Sequence, residues 1–267
     1  MGGDFLLAGG DLSWSAWTFE PTVLFGVALA GGLYTGGVFA TRQRGDGERL
    51  VWWRPLSFVA GLAAVLVALT SPIDRGADTY LLLLHMVQHA LLATIAPPLL
   101  ILGIGPQQAR RLSELPGIGR LLLLAHPLVA ILLFVVNMWF WHAPPVYGAA
   151  LDNLWLHVVM HLAFFVSGLL FWWPLLQEWP AAIRMSLPAR LLYLVVSGFP
   201  MGLLAVFLFA SPDVLYAHYE TAPRLWGISP MADQQVAGLV MGGLGETASF
   251  VAFTYFFARL MAESDSP

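Results

Sequence analysis

Seven stretches of the chain are almost continuously apolar and lack the alternation that marks a half-buried strand or a surface helix. They run at roughly 20–41, 53–71, 79–102, 121–141, 153–176, 189–211 and 232–260. About 20 apolar residues carry a helix across a hydrocarbon core. The pattern therefore predicts an all-α integral membrane protein, a seven-transmembrane-helix bundle forming a single polytopic domain over residues 1–267. The last stretch is long enough to tilt or to extend beyond the bilayer. Ser71-Pro72, Ala143-Pro144-Pro145 and Ser211-Pro212 fall at the ends of stretches, as helix breakers should. Pro97-Pro98 falls inside the third and predicts a kink or an early stop there. No internal repeat is evident.

Composition agrees: 58% of residues are hydrophobic and 10% charged, against roughly 25% charged in an ordinary soluble domain. The segment before the first stretch carries Asp4 and Asp11 but no basic cluster, so that stretch reads as a retained span rather than a signal peptide. Cysteine is absent, which excludes disulfides, thiolate metal sites and iron–sulfur ligation. All twelve basic residues are arginine, which excludes a lysine Schiff base.

The arginines set the orientation, because cytoplasmic loops carry the basic excess. Arg42, Arg44, Arg49, Arg54, Arg110, Arg111, Arg120, Arg184, Arg190 and Arg259 share one side. The other has only Arg75 and Arg224, with Asp4, Asp11, Glu20, Asp74, Asp78, Asp152, Asp213, Glu220 and Asp233. This places the N-terminus outside and the C-terminus in the cytoplasm. The arginine-rich "RQRGDGER" connection is a topology signal and implies no nucleic-acid partner.

On this topology six of the seven histidines gather at the outer face. Residues four apart on a helix face the same way, about 5.4 Å apart along the axis. "HMVQH" thus puts His85, Gln88 and His89 on one face of the third span, and "HVVMH" puts His157, Met160 and His161 on one face of the fifth. His142 ends the fourth span with Met138 one turn below it. In the seventh, Gln234 and Met241 share a face, with Asp233 at the mouth. Imidazole and thioether together suit copper, with methionine favouring Cu(I); zinc has less use for methionine.

Each residue also has a plainer reading. A lone histidine is ordinarily a hydrogen-bonded structural residue, and His126 and His218 are read so. Methionine is a common packing residue, so Met138 and Met241 are balanced between ligand and core, and Met160 and Met201 lean to core. Gln88 and Asn137 serve either to orient imidazoles or to join helices. Glu246 lies deep in the seventh span and about 140° around the helix from Met241, which favours a proton-handling or structural role. The Trp and Tyr residues read mostly as an interfacial belt.

Four segments, "HMVQHALLATIAPPLLILG" (85–103), "WHAPPVYGAAL" (141–151), "HVVMHLAFFVSGLLFWWPL" (157–175) and "DQQVAGLVM" (233–241), together resemble the CtaG-like cytochrome c oxidase assembly factors. The resemblance covers roughly residues 20–260 and departs after Met241, where this chain reads "GGLGE" instead of carrying Trp and Pro. It implies a non-enzymatic seven-helix protein of the bacterial inner membrane. The resemblance carries over residue by residue to His85, His89, His142, His157, His161, Asp233, Gln234 and Gln235; taken with the helical spacing, copper is expected at His85, His89, His142, His157, His161 and Met241, with Gln88, Met138, Asp233, Gln234 and Glu246 accessory. The protein's partners would be a cytochrome c oxidase subunit or a periplasmic copper chaperone. Two alternatives stay open: a b-type haem electron carrier, and a metal-ion or proton transporter.

Overall fold

The computed structural model describes residues 12–13, 15–43 and 51–264; Asp4, Asp11, Arg44 and Arg49 lie outside the described residues. Among the described residues there is no strand. In chain order the helices are α1 (Pro21–Gln43), α2 (Trp53–Thr70), α3 (Pro72–Thr79), α4 (Leu82–Ala90), α5 (Ala96–Gly103), α6 (Pro106–Glu114) and α7 (Pro116–Leu122). Then come α8 (Pro127–His142), α9 (Pro144–Asp152), α10 (Leu154–Leu176), α11 (Leu187–Ala210), α12 (Ala217–Thr221) and α13 (Pro230–Ser264).

Six helical segments are long and apolar enough to cross a membrane: α1, α2, α4 continuing into α5, α10, α11 and α13. The predicted span 121–141 is the exception. Its first residues belong to α7 and a short 3-10 turn, and α8 leaves them at 76°; counting this bent pair as one span gives seven. The break has a local cause. His126 precedes Pro127, whose ring drives the preceding residue out of helical geometry, and His126 adopts ψ 130.

The apolar surface faces outward. Leu128, Phe199 and Phe250 are each more than 70% exposed, while His85, Gln88, Asp233 and Gln234 are almost fully enclosed. A soluble fold does the reverse; a bundle solvated by lipid does this. The α4–α5 span is the centre, with 67% of its most apolar 18-residue window buried, whereas none of the corresponding α1 window is buried.

Pro97-Pro98 neither stops the central span nor ends it early. Prolines supply no N–H to the carbonyls one turn back, and the helix absorbs the loss through a π turn at Leu91–Ile95, where the Ala96 N–H bonds the Leu91 carbonyl. Such turns are single insertions inside helices and concentrate at functional sites; this one begins two residues after His89. Across from it, α10 comes so close that a side chain at Gly168 would overlap the Ala93 carbonyl. Glycine here sets the separation between the two helices that carry the paired histidines.

Candidate metal centre

α4 begins where Leu81, extended and without a capping side chain, cannot satisfy the first N–H groups of the helix. The cap comes from a distant part of the chain. Asp233, in the first turn of α13, accepts from Leu82 N at 2.8 Å and Leu83 N at 2.9 Å. On α10 the cap is local: Asn153 accepts from Trp155 N and Leu156 N at 2.9 and 3.1 Å. Both helices then present histidine at their fourth and eighth residues, about 5 and 10 Å below their starts.

The four imidazoles meet. Ring centroids lie 4.4 Å apart for His85–His89, 4.3 Å for His157–His161, and 5.2–5.7 Å for the pairs between helices. One nitrogen from each of His85, His89 and His161 falls within 4.8 Å of the others. The His85 and His157 Nε2 atoms are 3.4 Å apart. Two nitrogens bound tetrahedrally to one ion at about 2.0–2.1 Å would span roughly 3.4 Å.

Several of these nitrogens have nothing to bond. Both ring nitrogens of His89 and the Nε2 of His161 are enclosed and without a hydrogen-bond partner. Enclosed polar atoms are ordinarily paired, because leaving one unsatisfied costs about 1–3 kcal/mol. His85 is ordered differently: its Nδ1 lies 2.6 Å from the Tyr147 hydroxyl and 2.8 Å from that of Tyr219. Tyr219 donates to the Ala77 carbonyl at 2.7 Å, so its oxygen is free to accept from His85 Nδ1–H. That tautomer leaves Nε2 bare and turned toward His157.

Asp78, at the end of α3, forms the mouth. Its carboxylate is 3.6 Å from His157 Nε2 and 43% exposed, against 11% for the His157 side chain. Asp78, His85 and His157 make a second convergent set. Burial pushes the Asp78 carboxyl up to about 6. It pushes Asp74 up to about 7, with the charge of Asp78 adding to the effect.

A carboxyl so raised favours folding while protonated. The folded chain keeps a proton that the unfolded chain releases above about pH 4, so stability falls as pH rises from about 4 to about 7 and is level beyond. Asp74→Asn keeps an oxygen for the bond from Gln88 Nε2 (2.7 Å) and removes the charge. In detergent at pH 8 the variant should unfold about 1–3 kcal/mol harder than the parent, screening included. At about pH 4 the two should match, with the gap opening steadily as pH rises to about 7; equal melting curves at pH 4 and pH 8 would refute the assignment.

The remaining sequence candidates distribute as follows. Gln88 turns away from the imidazoles, donating to Asp74 and to the Ala68 carbonyl. Gln234 fastens the connection after α11, accepting from Leu215 N at 2.7 Å and donating to the Leu208 and Asp213 carbonyls. Asn137 joins α8 to α10 through Ser167 (3.1 Å). His218 bonds the Asp78 carbonyl at 2.9 Å, and His126 is exposed at the opposite end of the bundle. The His142 ring lies 5.5 Å from that of His89 but contributes no nitrogen to the three-histidine set; with Met138 and Met241 it lines a neighbouring cavity, which His89 also borders. Glu246 lines that cavity with Met241 despite their angular offset, because Gly245 contributes no side chain between them.

Tyr147, Tyr216 and Tyr219 are the functional residues that pattern reading missed. None is an interfacial residue: all are enclosed. Tyr216 donates to the His142 carbonyl at 2.8 Å, and Arg224 folds the connection back by bonding the Tyr219 carbonyl at 2.5 Å. The 211–229 connection therefore roofs the histidines. The signal available was proximity in sequence: Tyr147 follows His142 by five residues and Tyr219 adjoins His218.

The profile of the cytochrome c oxidase caa3 assembly factor family matches residues 32–263. An uncharacterized protein of Mycobacterium bovis is 28% identical over 253 residues, covering 87% of this chain and 37% of its own length. One of Mycobacterium leprae is 23% identical over 266 residues, covering 92% and 39%. This chain thus spans less than half the length of the curated relatives it matches. No solved structure matches it.

Proposed function

The chain belongs to the cytochrome c oxidase caa3 assembly factor family, and on that premise we propose that it is a copper carrier of the bacterial cytoplasmic membrane. It receives copper at its outer face, from a periplasmic chaperone or from solution, and passes it to a cytochrome c oxidase subunit. Copper is cargo, and the chain's work is binding and release.

The observation that carries this reading is the enclosed set His85, His89 and His161, with three ring nitrogens that have no partner. One cation takes a single nitrogen of His89 and the Nε2 of His161, with a nitrogen of His85 as the third donor, and imidazole is a good copper ligand. Asp78 and His157 give an ion a partly exposed way in. The outward orientation is supported by Arg54, Arg110, Arg111, Arg120, Arg184, Arg190 and Arg259, which lie toward the ends of the spans opposite the histidines and are expected on the cytoplasmic side. Haem is disfavoured because the rings pack tilted or edge-on against one another at 4.3–5.7 Å, which leaves no slab for a macrocycle.

Protein purified from copper-supplemented cells should carry copper. A His85→Ala, His161→Ala variant that folds, by its melting curve, should lose at least half of it. Copper content undiminished in that variant would refute the imidazole centre. A Soret band in the parent would replace copper with haem.

A further inference from the structure

Beyond His89, on the side away from Asp78, Met86, Met138, Met201 and Met241 line one cavity of about 30 Å³ together with His142. The four thioethers come from four different helices, α4, α8, α11 and α13. His142 is 1% exposed. Its Nδ1 lies 2.7 Å from the Met138 carbonyl, which can only accept, so Nδ1 carries the proton and the Nε2 of the neutral ring carries a lone pair. That lone pair points at the Met86 sulfur, 3.4 Å away. A thioether has no proton to give, so two enclosed electron-pair donors face each other with no hydrogen between them. A metal-bound nitrogen at about 2.0 Å and a sulfur at about 2.3 Å, set tetrahedrally, would be roughly 3.5 Å apart.

We propose that this cavity is a second metal site, selective for a soft monovalent cation such as Cu(I), anchored by His142 Nε2 and the Met86 sulfur and completed by Met138, Met201 or Met241. Thioethers suit Cu(I) and are not among the usual ligands of zinc, which takes Cys, His, Asp and Glu, whereas the imidazole centre accepts either ion. His89 borders both chambers, and both of its nitrogens are unpartnered. It is placed to pass an ion inward by exchange of imidazole for thioether donors, with no change of oxidation state. Gly245, one turn after Met241, lines the cavity without filling it. This inference rests on the reading of the chain as a copper carrier.

The test uses Ag(I), a redox-inert soft monovalent ion, and Co(II), which favours nitrogen donors, each titrated into the purified full chain. The parent should bind two Ag(I) but one Co(II). Met86→Leu, Met201→Leu, Met241→Leu together are nearly volume-conserving. They should remove one Ag(I) and leave Co(II) binding intact, which also reports that the variant is folded. His85→Ala with His161→Ala should remove Co(II) and one Ag(I) and leave the other. Two Ag(I) retained by the triple leucine variant would overturn the thioether site. Loss of both Ag(I) in the double alanine variant would show that the cavity is not a separate site. Failure of the parent to bind Co(II), with one leucine-sensitive Ag(I), would instead overturn the imidazole centre and leave this site standing.

Discussion

His89→Leu should lower copper affinity at the imidazole centre by on the order of a hundredfold or more, and should also make the metal-free protein harder to unfold. The first effect follows because His89 contributes one of three converging nitrogens, and loss of a mere supporting partner of a ligand already costs roughly 10–100-fold. The second follows from the same geometry. The metal-free protein encloses the ring with both nitrogens unpartnered, a burden of about 1–3 kcal/mol. Leucine of similar volume relieves it, packing against Phe164, whose ring centre is 4.3 Å from that of His89. A gain of that size corresponds to about 2–12 °C in melting temperature for a chain in this size range. Copper titration and thermal unfolding of one preparation test both. A structural histidine would behave oppositely, with affinity unchanged and stability lost.

Tyr219→Phe should weaken copper binding about 10–100-fold, the range for removing the group that orients a ligating imidazole. Its oxygen accepts from His85 Nδ1 and its hydrogen is committed to Ala77. Without it only Tyr147, 2.6 Å away, addresses Nδ1, and its hydroxyl hydrogen is free to donate there. That places the ring proton on Nε2, the atom a metal needs bare. Tyr216→Phe is the matched control: it loses the bond to the His142 carbonyl at 2.8 Å, with a similar cost of about 1 kcal/mol, and touches neither His85 nitrogen. Equal affinity losses in the two variants would reduce Tyr219 to a strap for the roof.

Much of this was legible before any coordinates. Uninterrupted apolar stretches located α1, α2, the α4–α5 span, α10, α11 and α13 to within a few residues, because lipid demands about 20 apolar residues per helix whatever the helix packs against. The i,i+4 pairs were equally plain, since helical periodicity is local. The one bent span shows the limit: hydropathy across 121–141 is continuous, but the backbone breaks at Pro127 by 76°.

The site divided along the same line. Pairing His85 with His89 and His157 with His161 needed only helix geometry. What each neighbour does with its polar atoms needed the packing. Gln88 shares its helix with both histidines yet spends its amide on Asp74 and Ala68. Asp233 and Gln234 are adjacent, yet one caps α4 and the other fastens the α11 connection.

By itself, then, the sequence determined the class of protein, the number of spans to within one bent helix, the end of the bundle that carries the arginines, and two histidine faces. All of these are set by local composition and periodicity. Only the tertiary structure decided that His85, His89 and His161 meet with both His89 nitrogens and the His161 Nε2 unpartnered, that Tyr147 and Tyr219 hold His85, and that His142 lines a neighbouring cavity with four methionines. The His85–Tyr219 bond alone joins residues 134 positions apart. Such contacts depend on how closely helices approach, which at Gly168 is governed by the absence of a single carbon atom.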